Sequence, residues 1–513
     1  MTSHGGALKQ AEMVEHKTFI PCRTSPSGLD TNALLTLNLD GPTPVLGFEI
    51  GSHIDGNGDY ELTALSGGGV RAEKILPNGL AIVREFRLST NEYLLNAKVR
   101  IENRGTTDLA LPAQDISIGT ATPMNGHDKG DALGVDWLSA DKYHNEAGWI
   151  SIPGFLCMPT SARNSFTATP EEYRWAAVHN QFFALATLSP NKPDKITGTR
   201  IPLPQPSEAA LQADRLLQTD PMGVATYVTY PAMMLAKSQT IERTFTLYAG
   251  PKNLRTLNEL GHELERVMGY GWFGIFASPL LLGMNFLHGT FGLGYGWCIV
   301  LITVLIRGAF WPLMAMSTRS SKKMAELQPR IKALQEKYKD DPKKQSEKMA
   351  EVWRESGGTP LLGCLPLFVT FPVFIGFFTM LRSAIELRGM SFLWCCDLSA
   401  ADTLMVIPGL GFLPLIGVVG LGLPFNVMPL LYVGTGLWMN HTMPMAPQMD
   451  PVQQRLIRWM PVFFLFLFYN YSAGLTVYWT TNNLLTILQN KLTKTKDDKS
   501  KGTLPAKEVK VRS

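Results

Sequence analysis

From Val267 to Ile306, forty residues, the chain carries no Lys, Arg, Asp or Glu. The first charge to follow is Arg307, set inside the apolar run LITVLIRGAFWP at 301–312. Such a length is about twice the ~20 residues needed to cross a ~30 Å hydrocarbon core. A guanidinium held in hydrocarbon costs roughly 2.5–3.5 kcal/mol on insertion scales. Arg307 is therefore expected to face polar groups or water inside a membrane domain rather than acyl chains.

Charge follows the same division. Over 513 residues the chain is 45% hydrophobic and 18% charged, with a net charge of +4. Residues 1–265 hold 22 Lys and Arg against 29 Asp and Glu, and residues 266–513 hold 25 against 14. The first part reads as an acidic soluble domain. The second alternates uncharged runs with basic segments, which is the layout of a multi-span membrane domain.

Between residues 30 and 250 the periodicity is that of strands. GLAIVREFRLS and YLLNAKVRIENRG alternate apolar and polar residues and end in turn signals, and YELTALSGGGV, FFALATLSP, VATYVTYPAMML and TIERTFTLYAG are similar. Short strands punctuated by Gly, Pro and Asn predict an antiparallel sandwich. A helix is expected over NLRTLNELGHELERVM, with Leu254, Leu257, Leu260, Leu264 and Val267 on one face.

The long uncharged run divides at HGTFGLGYG, so that WFGIFASPLLLGMNFL lies along an outer interface and residues of about 290–315 span. The glycines of that linker follow no strand and do not form a nucleotide loop. Residues 317–358 hold 11 basic and 7 acidic residues, too polar to span. They read as a helical hairpin. Its first helix starts near Pro329, with Ile331, Leu334 and Tyr338 on a stripe. Its second is capped by Asp341 and Pro342, presents Met349, Val352 and Trp353, and ends at Gly357-Gly358. Further runs lie at 361–381, 403–440, 456–471 and 473–490, and the tail 491–513 holds eight Lys and Arg.

Basic segments belong on the cytoplasmic side. With the hairpin inside, a single crossing near 424–440 keeps Arg455, Arg458 and the lysine-rich tail inside as well. Two crossings in 403–440 would put them outside. The reading is about five spans, with 404–423 an apolar segment on the outer face and the acidic domain outside. The N-terminal stretch MTSHGGALKQAEMVEHKTF has no apolar signal region, so an upstream anchor absent from this sequence is expected. The six cysteines show no C-x-x-C and no zinc spacing, and they leave the compartment open. The histidines form no H-E-x-x-H.

Five segments in order resemble the YidC membrane-protein insertase family of bacteria, related to the mitochondrial Oxa and chloroplast Albino proteins. They are ITVLIRGAFWPL, MAELQPRIKALQEKYKDD, GGTPLLGCLPLFVTFPVFIGFFTML, DPVQQRLIRWMPVFF and SAGLTVYWTTNNLLTILQ, between about residues 290 and 492. The resemblance implies a membrane α-helical core with a periplasmic β-super-sandwich domain, similar to sugar-mutarotase folds, of the Gram-negative type. The expected division is a linker at 1–29, the sandwich at 30–250 and periplasmic or interfacial helices at 251–288. A five-span core follows at 289–492, with its cytoplasmic hairpin at 315–358, and then a basic cytoplasmic tail at 493–513.

The resemblance also implies insertion and folding of integral membrane proteins, alone or with the Sec translocon, through a hydrophilic groove holding an arginine. Arg307 matches that arginine and Thr303 a groove threonine. Tyr478 and Trp479 match an aromatic pair, although Trp479 stands where many Gram-negative members have tyrosine, and Thr370 stands where some carry glutamine. Asn482 and Asn483, like Thr370, lie in other spans and would be costly against lipid. A shared water-filled cavity is expected to gather them around Arg307, with Phe374 facing lipid. Implied partners are nascent membrane proteins, the Sec translocon, the lipid bilayer, and the ribosome through the hairpin and tail. No cofactor, metal, sequence-specific nucleic acid or enzymatic step is implied, and the location is the bacterial inner membrane.

Two other readings use the same residues. An intramembrane arginine suits a secondary transporter of an anionic solute, but no repeat relates the halves. A carbohydrate-active envelope protein would use the sandwich, but no carboxylate pair there has spacing that fits acid–base work.

Overall fold

The computed structural model describes every residue except 23–31, 50–53, 55–57, 90–92, 129, 148–162, 214–216, 317–318, 320–327, 340, 357–359, 414–415, 418–421, 443–450 and 494–513. The expected helix stop at Gly357-Gly358 and the basic tail beyond Thr493 lie outside the described residues. The chain divides into two units, residues 1–271 with 383–385, and residues 272–382 with 386–513.

The first unit is built from antiparallel strands. In chain order they are β1 (Ala11–Lys17), β2 (Leu34–Leu37), β3 (Glu61–Ala64), β4 (Val70–Ile75), β5 (Leu80–Leu88), β6 (Leu94–Asn103), β7 (Leu109–Leu111), β8 (Gln114–Ala121) and β9 (Gly134–Ser139). Then come β10 (Lys142–Ala147), β11 (Ser165–Ala168), β12 (Tyr173–His179), β13 (Phe183–Leu188), β14 (Lys195–Pro202), β15 (Met222–Tyr230), β16 (Met233–Leu235) and β17 (Thr240–Pro251). A nine-stranded sheet runs β10-β9-β12-β13-β17-β6-β5-β4-β3, and a four-stranded sheet runs β11-β14-β15-β8. Alternation sets which side chains meet between them. Ile82, Phe86, Ala97, Val99, Ile101, Phe245 and Leu247 of the larger sheet share one core with Ile116, Ile118, Val224 and Val228 of the smaller.

Two details depart from the sequence reading. Residues 1–29 were expected to link, yet β1 lies among them and pairs with β2 in the register Ala11↔Leu37 and Met13↔Leu35. The strand AEMVEHK hides its signal because only Met13 is buried. Met13, Leu35 and Leu37 pack with Phe182 and Phe183 in a second small core. The expected helix over 253–268 is also broken. After a short α1 (Glu208–Ala213), α2 (Leu254–Leu260) ends at Gly261, whose φ is 72°. His262 and Glu263 then take left-handed conformations before a 3₁₀ turn at Leu264–Met268. Leu254, Leu257, Leu264 and Val267 are still buried, so the stripe reaches the core through two pieces. Trp175 on β12 is fully buried, and its Nε1 donates to the His262 carbonyl at 3.0 Å.

In the second unit, α3 (Gly274–Phe291) and α4 (Tyr295–Ala309) divide the uncharged run. Gly292, at φ 64°, closes α3 by donating to the His288 carbonyl, the left-handed cap glycine permits without strain. The hairpin is α5 (Gln328–Lys337) and α6 (Pro342–Ser356). The Asp341 carboxylate accepts from the Lys344 amide at 3.2 Å, the cap its position implied. Next come α7 (Pro360–Ser383), a β-hairpin of β18 (Thr403–Ile407) and β19 (Leu423–Asn426), α8 (Val427–Thr442), α9 (Pro451–Phe468) and α10 (Ala473–Leu492).

Each segment read as a span carries a helix, but among the described residues no helix is long and apolar enough to cross a membrane. For α4, α9 and α10 the physical reasons are visible. With 15 residues α4 is short, about 22 Å at 1.5 Å per residue. Arg455 and Arg458 lie within α9, and α10 carries Thr480, Thr481, Asn482 and Asn483 in succession. Helix length alone thus does not give the number of crossings.

The cysteines are more informative in the structure than in the sequence. Cys22 and Cys396 are each disulfide-bonded, whereas Cys298 and Cys395 are free and buried. Burial pushes the Cys395 thiol up to about 11, which leaves it an inert core residue.

Candidate functional site: the Arg307 pocket

Arg307 lies in the last turn of α4 and reaches α10. Its Nε donates to Asn482 Oδ1 at 2.7 Å and its Nη2 to Thr486 Oγ1 at 2.9 Å. The third nitrogen, Nη1, is buried and has no hydrogen-bond partner among the described residues. Both acceptors are neutral, and no carboxylate lines the pocket among the described residues. The guanidinium charge is therefore solvated by dipoles but not cancelled, which preserves a positive potential in a low-dielectric setting.

The pocket is lined by Thr303, Arg307, Thr370, Tyr478 and Asn482, with Ile306, Phe310, Met314 and Val373 as its apolar wall. Its volume is about 30 Å³, room for one or two water molecules. The shared water-filled cavity expected from the sequence is thus a narrow cleft here, with two of the Arg307 donors spent on α10.

Five of the seven residues singled out in the sequence line this pocket. Thr303 does so with its hydroxyl already donated to the Ile299 carbonyl at 2.7 Å, a back-bond within its own helix. Tyr478 stacks on Phe377, with ring centroids 4.3 Å apart. The other two face elsewhere. Trp479 sits in an aromatic cluster with Phe374, Tyr432 and Phe468, so Phe374 packs inward rather than facing lipid. Asn483 donates to the Tyr432 carbonyl at 3.3 Å and to Thr435 Oγ1 at 3.2 Å, which ties α10 to α8. Adjacent residues on a helix point about 100° apart, and here Asn482 faces Arg307 while Asn483 faces α8. The same rule identifies Thr486, which sequence reasoning omitted. Tyr478, Asn482 and Thr486 are spaced i, i+4, i+8 on one stripe.

This separation sets an expected result. Asn483→Ala should lower stability in micelles by about 0.6–1.7 kcal/mol, the range for interhelical hydrogen bonds in membranes, and leave whatever activity the pocket supports near wild type. Asn482→Leu should do the reverse, costing activity by removing the acceptor that aims Arg307. Equal effects of both on activity would mean that the pocket is no more than helix packing.

Residues 58–282 match the YidC periplasmic domain model, and residues 286–500 match the model of the 60Kd inner membrane protein. The membrane protein insertase YidC of Burkholderia multivorans is 30% identical over 429 residues, covering 81% of this chain and 67% of that protein. The chain belongs to the YidC family. The YidC of Cupriavidus taiwanensis is also 30% identical, over 418 residues, which are 80% of this chain and 65% of that protein. The chain thus spans about two thirds of the length of the curated YidC relatives it matches. A crystal structure of an active YidC insertase with its first transmembrane domain resolved is similar at 19% identity, covering 90% of this chain and 81% of that one, with a TM-score of 0.34. The first YidC model takes in the β-rich unit from Gly58 on, and the second contains Arg307 and every other pocket residue.

Proposed function

We propose that this protein inserts and folds integral membrane proteins, alone or with the Sec translocon, and that the Arg307 pocket receives the polar part of the substrate. The observation that carries the reading is the guanidinium between neutral partners, with one buried nitrogen left to bond. A polar tail or loop crossing a bilayer pays several kcal/mol for each unsatisfied polar group. A charged donor within the membrane domain lowers that cost, and acidic groups gain most. The substrate's apolar segment then moves into lipid. No bond is made or broken, so neither cofactor nor metal is required.

The proposed setting is a bacterial inner membrane, with residues 1–288 in the periplasm, about five spans between 289 and 492, and the hairpin and tail in the cytoplasm facing ribosomes. The disulfide-bonded state of Cys22 and Cys396 supports an oxidising side for both segments, since structural disulfides persist outside the cytosol. The net positive charge of the hairpin and tail supports the opposite side for them.

The test is crosslinking of a ribosome-bound nascent membrane protein to photoreactive residues at 370 and 371 of the full chain. Thr370 lines the pocket, while Phe371, one residue on, is 53% exposed. Crosslinks of the substrate's polar tail to 370, with 371 capturing lipid or the substrate's apolar segment, are expected. No substrate crosslink at 370 would refute the role of the pocket.

A further inference from the structure

The segment 403–426 has no part in the pocket, and its chemistry is unusual for a loop. From Thr403 to Met449 there is no Lys, Arg, Asp or Glu. Its two ends, Thr403–Ile407 and Leu423–Asn426, pair as the hairpin β18–β19 in the register Val406↔Pro424 and Ile407↔Leu423. Among its described residues several apolar side chains are not packed away: Phe412 is 74% exposed, Met405 56% and Leu404 42%. In water such a surface would be an aggregation liability.

The base of the hairpin is held firmly. Asp402 is buried, and its Oδ2 accepts from Trp394 Nε1 at 2.9 Å and from the Val427 and Met428 amides at 3.1 and 2.8 Å. This caps α8 at its positive end. Asn426, also buried, accepts from the Thr403 hydroxyl at 2.7 Å and donates to the Tyr469 carbonyl at 2.8 Å. A loop that served only to connect two helices would need neither this clamp nor its exposed Phe and Met.

We propose that the hairpin is a membrane-interface anchor whose exposed side chains, Leu404, Met405 and Phe412, take the acyl chains of the outer leaflet. Lipid is the occupant for three reasons. The segment offers no charge with which a soluble partner could be chosen. It runs without a break into α8, whose Leu430 and Leu431 are exposed in the same way. Two tryptophans lie at this end with partly exposed rings: Trp394, tied to Asp402, and Trp297, edge-on to Phe392 at 5.4 Å. Tryptophan with one bonded edge and one apolar face favours the headgroup level. Held at its base and anchored through Leu404, Met405 and Phe412, the hairpin would fix the depth of α8, the helix that Asn483 ties to the pocket-bearing α10.

The inference rests on the membrane placement proposed above. The test uses the full chain in vesicles of phosphatidylethanolamine and phosphatidylglycerol containing a trace of radiolabelled phosphatidylethanolamine. A diazirine-bearing phenylalanine analogue is placed at 405, 412, 430 or 88. Position 430 reports lipid along α8, and Leu88, 80% exposed on the β-rich unit, reports water. Lipid adducts at 405 and 412 comparable to those at 430, and severalfold above those at 88, are expected. Adducts at 430 with 405 and 412 at the level of 88 would overturn the anchor while leaving the membrane core intact. Adducts of 412 to protein instead of lipid would also overturn it, in favour of docking to another chain. Absence of lipid at 430 as well would overturn the membrane placement and the anchor together.

Discussion

Replacing Arg307 with alanine is expected to slow insertion of substrates with acidic translocated tails by about 10-fold to 100-fold. The magnitude follows from ~1.5–3 kcal/mol for a hydrogen bond to a charged group, at ~1.4 kcal/mol per factor of ten. Substrates with neutral tails should lose less. Helix packing should survive, because α4 keeps its buried face of Cys298, Ile299 and Ile302. Arg307→Lys should retain much of the activity, since a shifting substrate responds to charge more than to fork geometry. The ammonium cannot reproduce both the Asn482 and the Thr486 bonds of the fork, so some loss is expected there too. Complementation of an insertase-depleted strain, scored separately for acidic and neutral tails, gives the reading. Equal loss for both tail types with Arg307→Ala, and no rescue by Arg307→Lys, would make Arg307 a structural strut.

The second large effect is expected in the β-rich unit. Trp175→Ala should destabilise it by about 3–5 kcal/mol, the usual cost of deleting a fully buried aromatic ring. That is a large share of the ~5–15 kcal/mol that holds a domain together. The ring is fully buried, and its Nε1 bond to the His262 carbonyl, beside the Arg174–Glu263 pair at 2.9 Å, helps hold this turn onto the sheet. Losing it should also release the connector 254–268 at the end of this unit. Denaturant unfolding of the full chain in detergent, with protease susceptibility between 254 and 271 as a second readout, measures both. An unchanged midpoint would mean that Leu254, Leu257 and Val267 and the Arg174–Glu263 pair hold the connector without Trp175.

What could be read beforehand divides along physical lines. Strands such as LLNAKVRIEN and helices such as those of the charged hairpin were legible because a period of 2 or near 3.6 survives in a linear string. Strand β1 was not, since one buried methionine makes no pattern. Neither was the break at Gly261, because the apolar stripe continues across it. At the site, Arg307 stood out through the cost of its charge, and Thr303, Thr370, Tyr478 and Asn482 through a family likeness or polarity in apolar surroundings. Thr486 was missed although it follows Asn482 by one turn, and Asn483 was included although it faces α8. Both errors come from reading polarity without direction. The disulfide state of Cys22 and Cys396 depends on atoms meeting in space, which spacing along the chain does not convey.

The central claim is that this chain, by itself, moves polar segments across a bilayer with the help of Arg307. The direct measurement is insertion of a single-span substrate with an acidic tail into vesicles that contain only the purified full chain, read as protease protection of the translocated tail. Protection well above empty vesicles, reduced by Arg307→Ala and largely restored by Arg307→Lys, is the expected result. Protection no greater than in empty vesicles, with the chain folded and correctly inserted, would contradict the account.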